Sequence, residues 1–186
     1  MAFIPGDAEK RGPLYEGLPT LEKHRNMRPL EAYLELVQDC GVDKVLIGDI
    51  SASLESMQEV ASASRGIIPL RYKSFITDKE VLKVVEQVHT NRLDPARDVI
   101  RSVESREGNR VVLQPMHTIV RKKGSITIDN ELYGRYAGEM QVATHDLPVD
   151  EKVNVVGIVV EEDVSLLPYI GAGKMFQLFL CDRIKA

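Results

Sequence analysis

The order of secondary-structure signals in residues 1–66 constrains the fold more strongly than any other feature of this chain. A short apolar run, "AFIPG", leads through a long loop into an amphipathic helix, "PLEAYLELVQDCG". A second apolar run, "DKVLIGD", leads into a second helix, "SLESMQEVASASRG". Strands that alternate with helices are typical of parallel βα architecture, so this part is predicted to hold two βα units.

Both helices carry boundary signals. Pro29 suits the first turn of the first helix, and Gly41 suits the residue just past its end. Ser51 or Ser53 is predicted to cap the second helix, and Gly66 to end it. The residues of the second helix predicted to face inward are Leu54, Met57, Val60 and Ala61.

The run "DKVLIGD" is predicted to be a fully buried strand, because it is continuously apolar. Two βα units alone cannot bury both faces of a parallel sheet, and an uncovered strand edge promotes aggregation. We therefore expect residues 1–66 to be the last part of something larger, or to pair with a partner that supplies the missing strands.

The pattern changes near residues 66–72, where we place a domain boundary. Beyond it, "IIPLRYKSF" is extended and "TDKEVLKVVEQVH" is predicted to be a helix. The later predicted strands are "RVVLQPMHTIV", "SITIDN", "GRYAGEMQVAT", "KVNVVGIVVE" and "KMFQLFLCDRI". Short strands at this spacing predict a small closed or nearly closed β-barrel.

Composition narrows the class of protein. The net charge of −4 argues against a nucleic-acid-binding chain. No apolar run approaches the roughly 20 residues of a membrane helix, and the N-terminus "MAFIPGDAEKR" has no secretory signal pattern. Cys40 and Cys181 are expected to be reduced, buried and inert, which fits a cytoplasmic location.

In βα folds, the loops at the carboxyl ends of strands carry ligands. Asp49 ends a predicted strand and is expected to point into such a site; the alternative is that it only caps the following helix.

A second candidate feature is the long loop, residues 11–26. Loops of this length are usually functional or disordered, and the apolar residues of this one argue against disorder. Its candidate residues are Glu16, Lys23, His24 and Arg25. Basic groups beside a helix start suit a phosphate, although each alone could be a solvated surface charge.

A second candidate site lies in "SITIDNELYGRYAGE". Its residues are Asp129, Asn130, Tyr133, Arg135 and Tyr136. Aromatic faces together with carboxylate, amide and guanidinium groups are suited to a sugar or phosphosugar. The alternative is a turn formed by the Asp and Asn, with the tyrosines in the core.

Other apparent motifs do not indicate a site. "GAGK" departs from the phosphate-loop pattern, since Pro168 and Met175 occupy positions that require Gly and Ser or Thr. "RKK" at 121–123 is predicted to be a hairpin tip in water. The four histidines lack metal-ligand spacing, so neither a metal nor a cofactor is predicted.

At "RGPLYEGLPTLEKHRN", "DKVLIGD" and "IDNELYGRYAGEMQV…LPVDEKVNVVG" the chain resembles a bacterial family. Its members, formerly catalogued as uncharacterised outer-surface-type proteins, are 6-phospho-N-acetylmuramidases. The resemblance implies an α/β plus β chain. Residues 1–66 would be the last two βα units of a TIM-type (β/α)₈ barrel, and residues 67–186 a cyclophilin-like β-barrel domain.

The resemblance also implies a function. The chain would be the C-terminal portion of a glycoside hydrolase that cleaves 6-phospho-N-acetylmuramyl glycosides in cell-wall sugar recycling, inactive by itself. Glu16 and Asp49 are the candidate catalytic carboxylates, and the other candidates would bind the phosphorylated amino sugar. Expected partners are a second copy of the chain or the missing barrel half. The alternative is a non-catalytic sugar-phosphate-binding or interaction module.

Overall fold

The computed structural model describes residues 1–107 and 111–183. The chain divides into two compact units, Met1–Gly66 and Ile67–Ala186. This division falls at the lower end of the interval in which the sequence pattern changes.

The first unit has the predicted βα order. Its elements are β1 (Ala2–Ile4), α1 (Pro29–Leu34), β2 (Val45–Ile47) and α2 (Leu54–Ser64). The strands β1 and β2 pair in parallel, with Ala2 opposite Val45. Helix α1 continues as a π-helical turn over Glu35–Asp39. Pro29 occupies the first turn, and Gly41 adopts the positive φ of 64° that suits the position after a helix.

The core of the first unit lies on one side of the sheet. Ala2 and Ile4 of β1 pack against Ala32 and Leu36. The prediction that β2 is fully buried is wrong, because Leu46 and Ile47 are 38% and 37% exposed. Val45 packs against this core, so β2 is only partly buried within the first unit.

Helix α2 begins directly after one of the predicted cap residues, but the buried side of the helix differs from the predicted one. Ser53 is the cap, and its hydroxyl accepts a hydrogen bond from the Ser56 amide at 3.1 Å. The prediction that Leu54 and Met57 face inward is wrong, since they are 68% and 45% exposed. Ser56 is buried instead, because its hydroxyl donates to the Asp7 carboxylate at 2.7 Å and holds this side of the helix against the loop after β1.

The second unit contains one seven-stranded sheet. Its strands are β3 (Ile67–Ser74), β4 (Val88–Thr90), β5 (Val99–Arg101), β6 (Ser125–Asp129), β7 (Met140–Ala143), β8 (Val153–Val159) and β9 (Met175–Arg183). They are ordered β4-β9-β3-β8-β6-β7-β5; β3 and β9 pair in parallel, and the other neighbouring pairs of these strands are antiparallel. The helices are α3 (Lys79–Glu86), which was predicted, and the short α4 (Glu104–Glu107).

Backbone contacts join the two edge strands, so the sheet is nearly closed. The Arg92 amide donates to the Arg101 carbonyl at 3.1 Å, and the Val103 amide donates to the Thr90 carbonyl at 3.0 Å. Closing a sheet in this way removes the unpaired edges that an open sheet would present. The predicted nearly closed β architecture is confirmed.

One predicted strand is absent and two were missed, since β4 includes Val88 and His89, which were predicted to end a helix. Residues 111–120 of "RVVLQPMHTIV" form no regular strand, and Arg110 lies outside the described residues. Pro115 has no amide to donate, and His117 has a positive φ of 48°, which interrupts an extended run. The Asn154 side chain holds this segment through the Met116 amide and the Gln114 carbonyl, at 3.0 and 2.8 Å. Strand β5 was missed because its polar flanks gave weak periodicity.

The structure also bears on the two cysteines and on the possibility of a membrane-spanning helix. Cys40 and Cys181 are free thiols, but both are exposed, so the prediction that they are buried is wrong. None of the helices in the described part of the chain has the length and hydropathy needed to cross a bilayer.

Gly157 offers a test of sheet packing. A Cβ at this position of β8 would lie 2.7 Å from the Lys73 carbonyl oxygen of β3, and this backbone cannot move without disturbing the ladder. We expect Gly157→Ala to lower the free energy of unfolding of the second unit by about 1–3 kcal/mol, measured by urea denaturation. The matched control is Gly171→Ala, because nothing lies within 4 Å of the Cβ position there. Equal losses in the two variants would contradict this packing argument.

Candidate functional site

Asp49 joins the loops that follow β1 and β2. Its side chain is fully buried. One carboxylate oxygen accepts from the Gly6 amide at 2.8 Å and the other from the Arg11 amide at 3.0 Å. The Lys10 ammonium lies 3.7 Å from the first oxygen. The Asp49 carboxylate therefore fixes the start of the long loop against the end of β2.

The surroundings of Asp49 keep it ionised. Burial alone would raise the pKa of Asp49, but the Arg11 and Gly6 amides and the Lys10 ammonium together hold it below its usual value. A carboxylate of this kind can orient groups or stabilise positive charge, but it cannot donate a proton. The alternative that Asp49 only caps α2 is wrong, because Ser53 is the cap.

Asp7 forms a second junction between the same loops. Its carboxylate accepts from the Ser53 amide at 2.6 Å and from the Ser53 and Ser56 hydroxyls at 2.8 and 2.7 Å. Burial opposes ionisation, but these hydrogen bonds lower the pKa of Asp7. Asp7 and Asp49 thus place two fixed negative charges at the carboxyl edge of the β1–β2 pair.

Arg25 supports the middle of the long loop. Its guanidinium donates to the Glu16 and Gly17 carbonyls at 3.1 and 2.8 Å and makes two hydrogen bonds to the Glu22 carboxylate at 2.6 and 2.7 Å. The pairing with Glu22, together with the nearby charges of Glu16 and Asp49, raises the pKa of Arg25. The Glu16 side chain itself is exposed. Of the two candidate catalytic carboxylates, Glu16 is the one open to solvent.

Lys23 and His24 both contact Glu35, Lys23 from the surface and His24 from the interior. The Lys23 ammonium forms an ion pair with the Glu35 carboxylate. His24 is fully buried, with its Nε2 atom 3.2 Å from the other Glu35 oxygen. These contacts tie the end of the long loop to the π-helical turn, and they favour a supporting role over ligand contact for His24.

The second candidate site is built on a pair of buried carboxyl groups, Asp129 and Glu139. Asp129 ends β6, and its amide donates to the Glu139 carbonyl at 3.0 Å, just before β7 begins. The two residues are 2% and 6% exposed. Among the described residues, neither Asp129 Oδ1 nor Glu139 Oε1 has a hydrogen-bond partner, although Arg106 Nε lies 3.3 Å from the latter.

The buried position changes the acidity of Asp129. Burial, together with the charges of Glu139 and Asp150, raises the pKa of Asp129 to about 7. Its other oxygen is 3.4 Å from the Gln141 side-chain amide. A carboxyl group with this pKa carries a proton for much of the time at neutral pH, so it can act as a hydrogen-bond donor or a proton donor.

Asn130 holds the turn that follows. It is fully buried, and its side-chain amide donates to the Glu151 carbonyl at 2.8 Å and to the Asn154 side chain at 2.9 Å. Its side-chain oxygen accepts from the Leu132 amide at 3.1 Å, which caps a 3-10 turn over Glu131–Tyr136. The structure therefore gives Asn130 the turn-forming role that was the alternative interpretation.

The tyrosines of this turn lie at the surface among cations. The rings of Tyr133 and Tyr136 meet edge to face at 5.9 Å. The guanidinium groups of Arg135 and Arg106 lie 4.7 and 5.8 Å from the Tyr136 ring centre, and the Lys152 ammonium lies 5.9 Å from that of Tyr133. Predicting these tyrosines in the core is therefore wrong, because Tyr133 is exposed and Tyr136 is only partly buried, and with the cations they form an aromatic surface.

Several side chains that contact the candidate site residues were not predicted from the sequence. They are Asp7, Lys10, Arg106, Glu139, Gln141 and Lys152. Glu139 lies inside the quoted "SITIDNELYGRYAGE" stretch, and its place at the start of the next strand is the signal that could have paired it with Asp129. In residues 1–107 and 111–183, no group of three or more His, Cys, Asp or Glu side chains is arranged to hold a metal ion.

The fold and these side chains define a mixed α/β protein with a nearly closed seven-stranded sheet and ordered ionisable groups in each unit. Two family profiles match it: "6-phospho-N-acetylmuramidase, N-terminal" over residues 1–62 and "6-phospho-N-acetylmuramidase, C-terminal" over residues 67–179. The chain belongs to the 6-phospho-N-acetylmuramidase family, which confirms the resemblance and connects it with glycoside hydrolases.

Solved structures give the same picture of the fold. A conserved Enterococcus faecalis protein of unknown function is 41% identical with a TM-score of 0.79, over 97% of this chain and 49% of its own. An uncharacterised B. cereus protein is 30% identical with a TM-score of 0.77, over 96% of this chain and 53% of its own. This chain therefore spans about half the length of each. Comparison with curated proteins gives no match.

The acidity of Asp129 predicts how stability varies with pH. Its pKa is about 7 in the folded chain against a usual value of 3.8, so the folded state binds the proton more tightly. The free energy of unfolding should fall by about 3 kcal/mol as the pH rises from 4 to 7, and by a small further amount between about pH 7 and 8. We expect Asp129→Asn to abolish that fall, measured by urea denaturation at several pH values.

The matched control is Glu131→Gln, which removes an exposed carboxylate from the adjoining turn and should keep the pH dependence. If wild type and Asp129→Asn show the same slope between pH 4 and 7, Asp129 does not hold its proton in the folded state.

Proposed function

We propose that this chain is the C-terminal portion of a cytoplasmic glycoside hydrolase that cleaves 6-phospho-N-acetylmuramyl glycosides in the recycling of cell-wall sugars. Residues 1–66 are the last two βα units of a TIM-type (β/α)₈ barrel, and residues 67–186 are a cyclophilin-like β domain. The chain alone does not hydrolyse the substrate, because the other strands of the barrel complete the site. Family membership supports this proposal.

The observation that carries the proposal is the network that fixes the long loop at the carboxyl edge of β1 and β2. Barrel enzymes place their active sites at that edge. Asp49 and Asp7 hold the loop bases, and Arg25 holds the loop so that Glu16 is open to solvent. The exposed apolar side chains of Leu46 and Ile47 give the remaining barrel strands a surface to cover.

The two carboxylates have different roles in this proposal. Glycoside hydrolysis requires a pair of carboxyl groups on either side of the scissile bond. Glu16 is the carboxyl that contacts substrate, and its partner comes from the remainder of the barrel. Asp49 is a positioning residue, because both of its oxygens are already bonded to backbone amides. Lys23 and Arg25 give the loop positive charge, and each is paired with a carboxylate of its own unit, Glu35 and Glu22 respectively.

The β domain recognises the phosphorylated amino sugar in this scheme. Tyr133 and Tyr136 supply aromatic faces for a sugar ring, and Arg135 suits a phosphate. The protonated Asp129 and the buried Asn130 support the turn that carries them. A non-catalytic sugar-phosphate-binding module is the second candidate function, since this surface is formed entirely by the second unit.

Ligand binding by this chain tests the phosphosugar assignment. We expect N-acetylmuramic acid 6-phosphate to raise the thermal midpoint, because a ligand that binds only the folded state stabilises it. N-acetylmuramic acid without phosphate should have a much smaller effect, and Arg135→Gln should reduce the shift. If phosphorylated and unphosphorylated sugars act alike on this chain and on its full-length form, the phosphosugar assignment is wrong.

Activity of the full-length protein separates the roles of Glu16 and Asp49. Glu16→Gln should lower kcat for a 6-phosphomuramyl glycoside by at least about 100-fold and leave stability unchanged, because its side chain is exposed. Asp49→Asn should cost about 1–3 kcal/mol of stability, because its new NH₂ group faces a backbone amide. Full activity in Glu16→Gln would exclude Glu16 from catalysis, and absence of hydrolysis by the wild-type full-length protein would favour the binding module.

A further inference from the structure

A cavity of about 360 Å³ opens in the second unit, at the other end of the sheet from Asp129. Strands β6 and β7 are antiparallel, so Thr144 and His145, which follow β7, lie where β6 begins, whereas Asp129 lies where β6 ends. The volume is within the range of small-molecule sites. The cavity is therefore separate from the carboxyl pair and the tyrosine surface.

The floor of the cavity is apolar. Ile100, Leu167 and Ile170 line it, and each is no more than 3% exposed. Small residues at the wall, Gly171 and Ala172, leave the space open. Such a floor suits a compact apolar group, because burying apolar surface is favourable in proportion to area.

The ionisable residues that line the cavity are all basic: Arg97, Lys123 and His145. Asp98 does not line it, and its carboxylate is engaged by Arg97 at 2.8 Å and lies 3.8 Å from His145 Nδ1. Among the described residues, no carboxylate lies within ion-pair distance of the Lys123 ammonium. The Asp146 carboxylate accepts a hydrogen bond from the Lys123 backbone amide at 2.8 Å. Within the described part of the chain, the rim thus offers a cation without a direct ion pair above an apolar floor.

We propose that this cavity binds a small organic anion, a carboxylate with a compact apolar body, with the anionic group at Lys123 and the apolar part on Ile100, Leu167 and Ile170. The charge of the rim and the apolar floor together favour this class of ligand. An uncharged apolar molecule could not form the ion pair with Lys123, and an inorganic anion could not contact the apolar floor. The site is independent of the proposed hydrolase activity.

Residues from two sequence motifs that have no part in the proposed hydrolase site line this cavity. Lys123 belongs to "RKK", which was predicted to be a hairpin tip in water, and Gly171 and Ala172 belong to "GAGK". Lys122, the neighbour of Lys123, does not line the cavity. The two lysines are therefore a matched pair with equal charge, of which one faces the proposed ligand.

The test is a titration of the whole chain, followed by the shifts of its backbone amide NMR signals. The probe is benzoate, and benzyl alcohol is the uncharged control of similar size. We expect benzoate to shift signals around Lys123, Thr144 and Gly171, and benzyl alcohol to bind about two- to fivefold more weakly. Lys123→Gln should weaken benzoate binding by about the same factor, and Lys122→Gln should leave it unchanged.

Ala172→Phe provides a second variant, since it fills the cavity from an exposed position and should abolish the benzoate shifts. An unchanged thermal midpoint shows that the variant is folded. The proposal is overturned if benzoate shifts no signals around the cavity, if benzyl alcohol binds equally well, or if Lys122→Gln and Lys123→Gln weaken binding alike.

Discussion

The first unit depends on the burial of the Asp49 carboxylate. An ionised group removed from water is costly unless hydrogen bonds replace its hydration, and Gly6, Arg11 and Lys10 supply these contacts. The desolvation cost of Asp49 therefore favours one position of the loop, because any displacement would leave the buried charge without these partners. Two strands of three residues each could not hold a loop of this length by ladder hydrogen bonds alone.

In the second unit, the nearly closed sheet buries two carboxyl groups that are close to each other. Asp129 and Glu139 lie at adjoining ends of β6 and β7, where burial and mutual repulsion act together. Keeping such a pair lowers stability at neutral pH, whereas neutral side chains of the same size would not. Groups with strongly perturbed acidity occur preferentially at functional sites. The surface tyrosines beside Asp129 support that interpretation.

The sequence predicted the features that depend on local pattern. The βα order, the Pro29 and Gly41 boundaries, a serine cap at Ser51 or Ser53 and the nearly closed sheet followed from periodicity and turn residues. Long-range contacts set the features that it could not predict. Ser56 is buried because Asp7 lies near it only in the folded unit, and nothing in the local sequence shows this. The bonds of His24 to Glu35 likewise depend on how the loop returns to the helix.

Asp49 and Asp129 show why residue type alone cannot assign chemistry. Both aspartates end a strand region, and both are buried. Backbone amides and a lysine surround the first and keep it ionised, whereas burial and the charge of Glu139 let the second hold its proton up to about neutral pH. Environments that push two acids in opposite directions define which can accept and which can donate a proton. Because each environment is built within one unit, the two chemical properties are carried by separate parts of the chain.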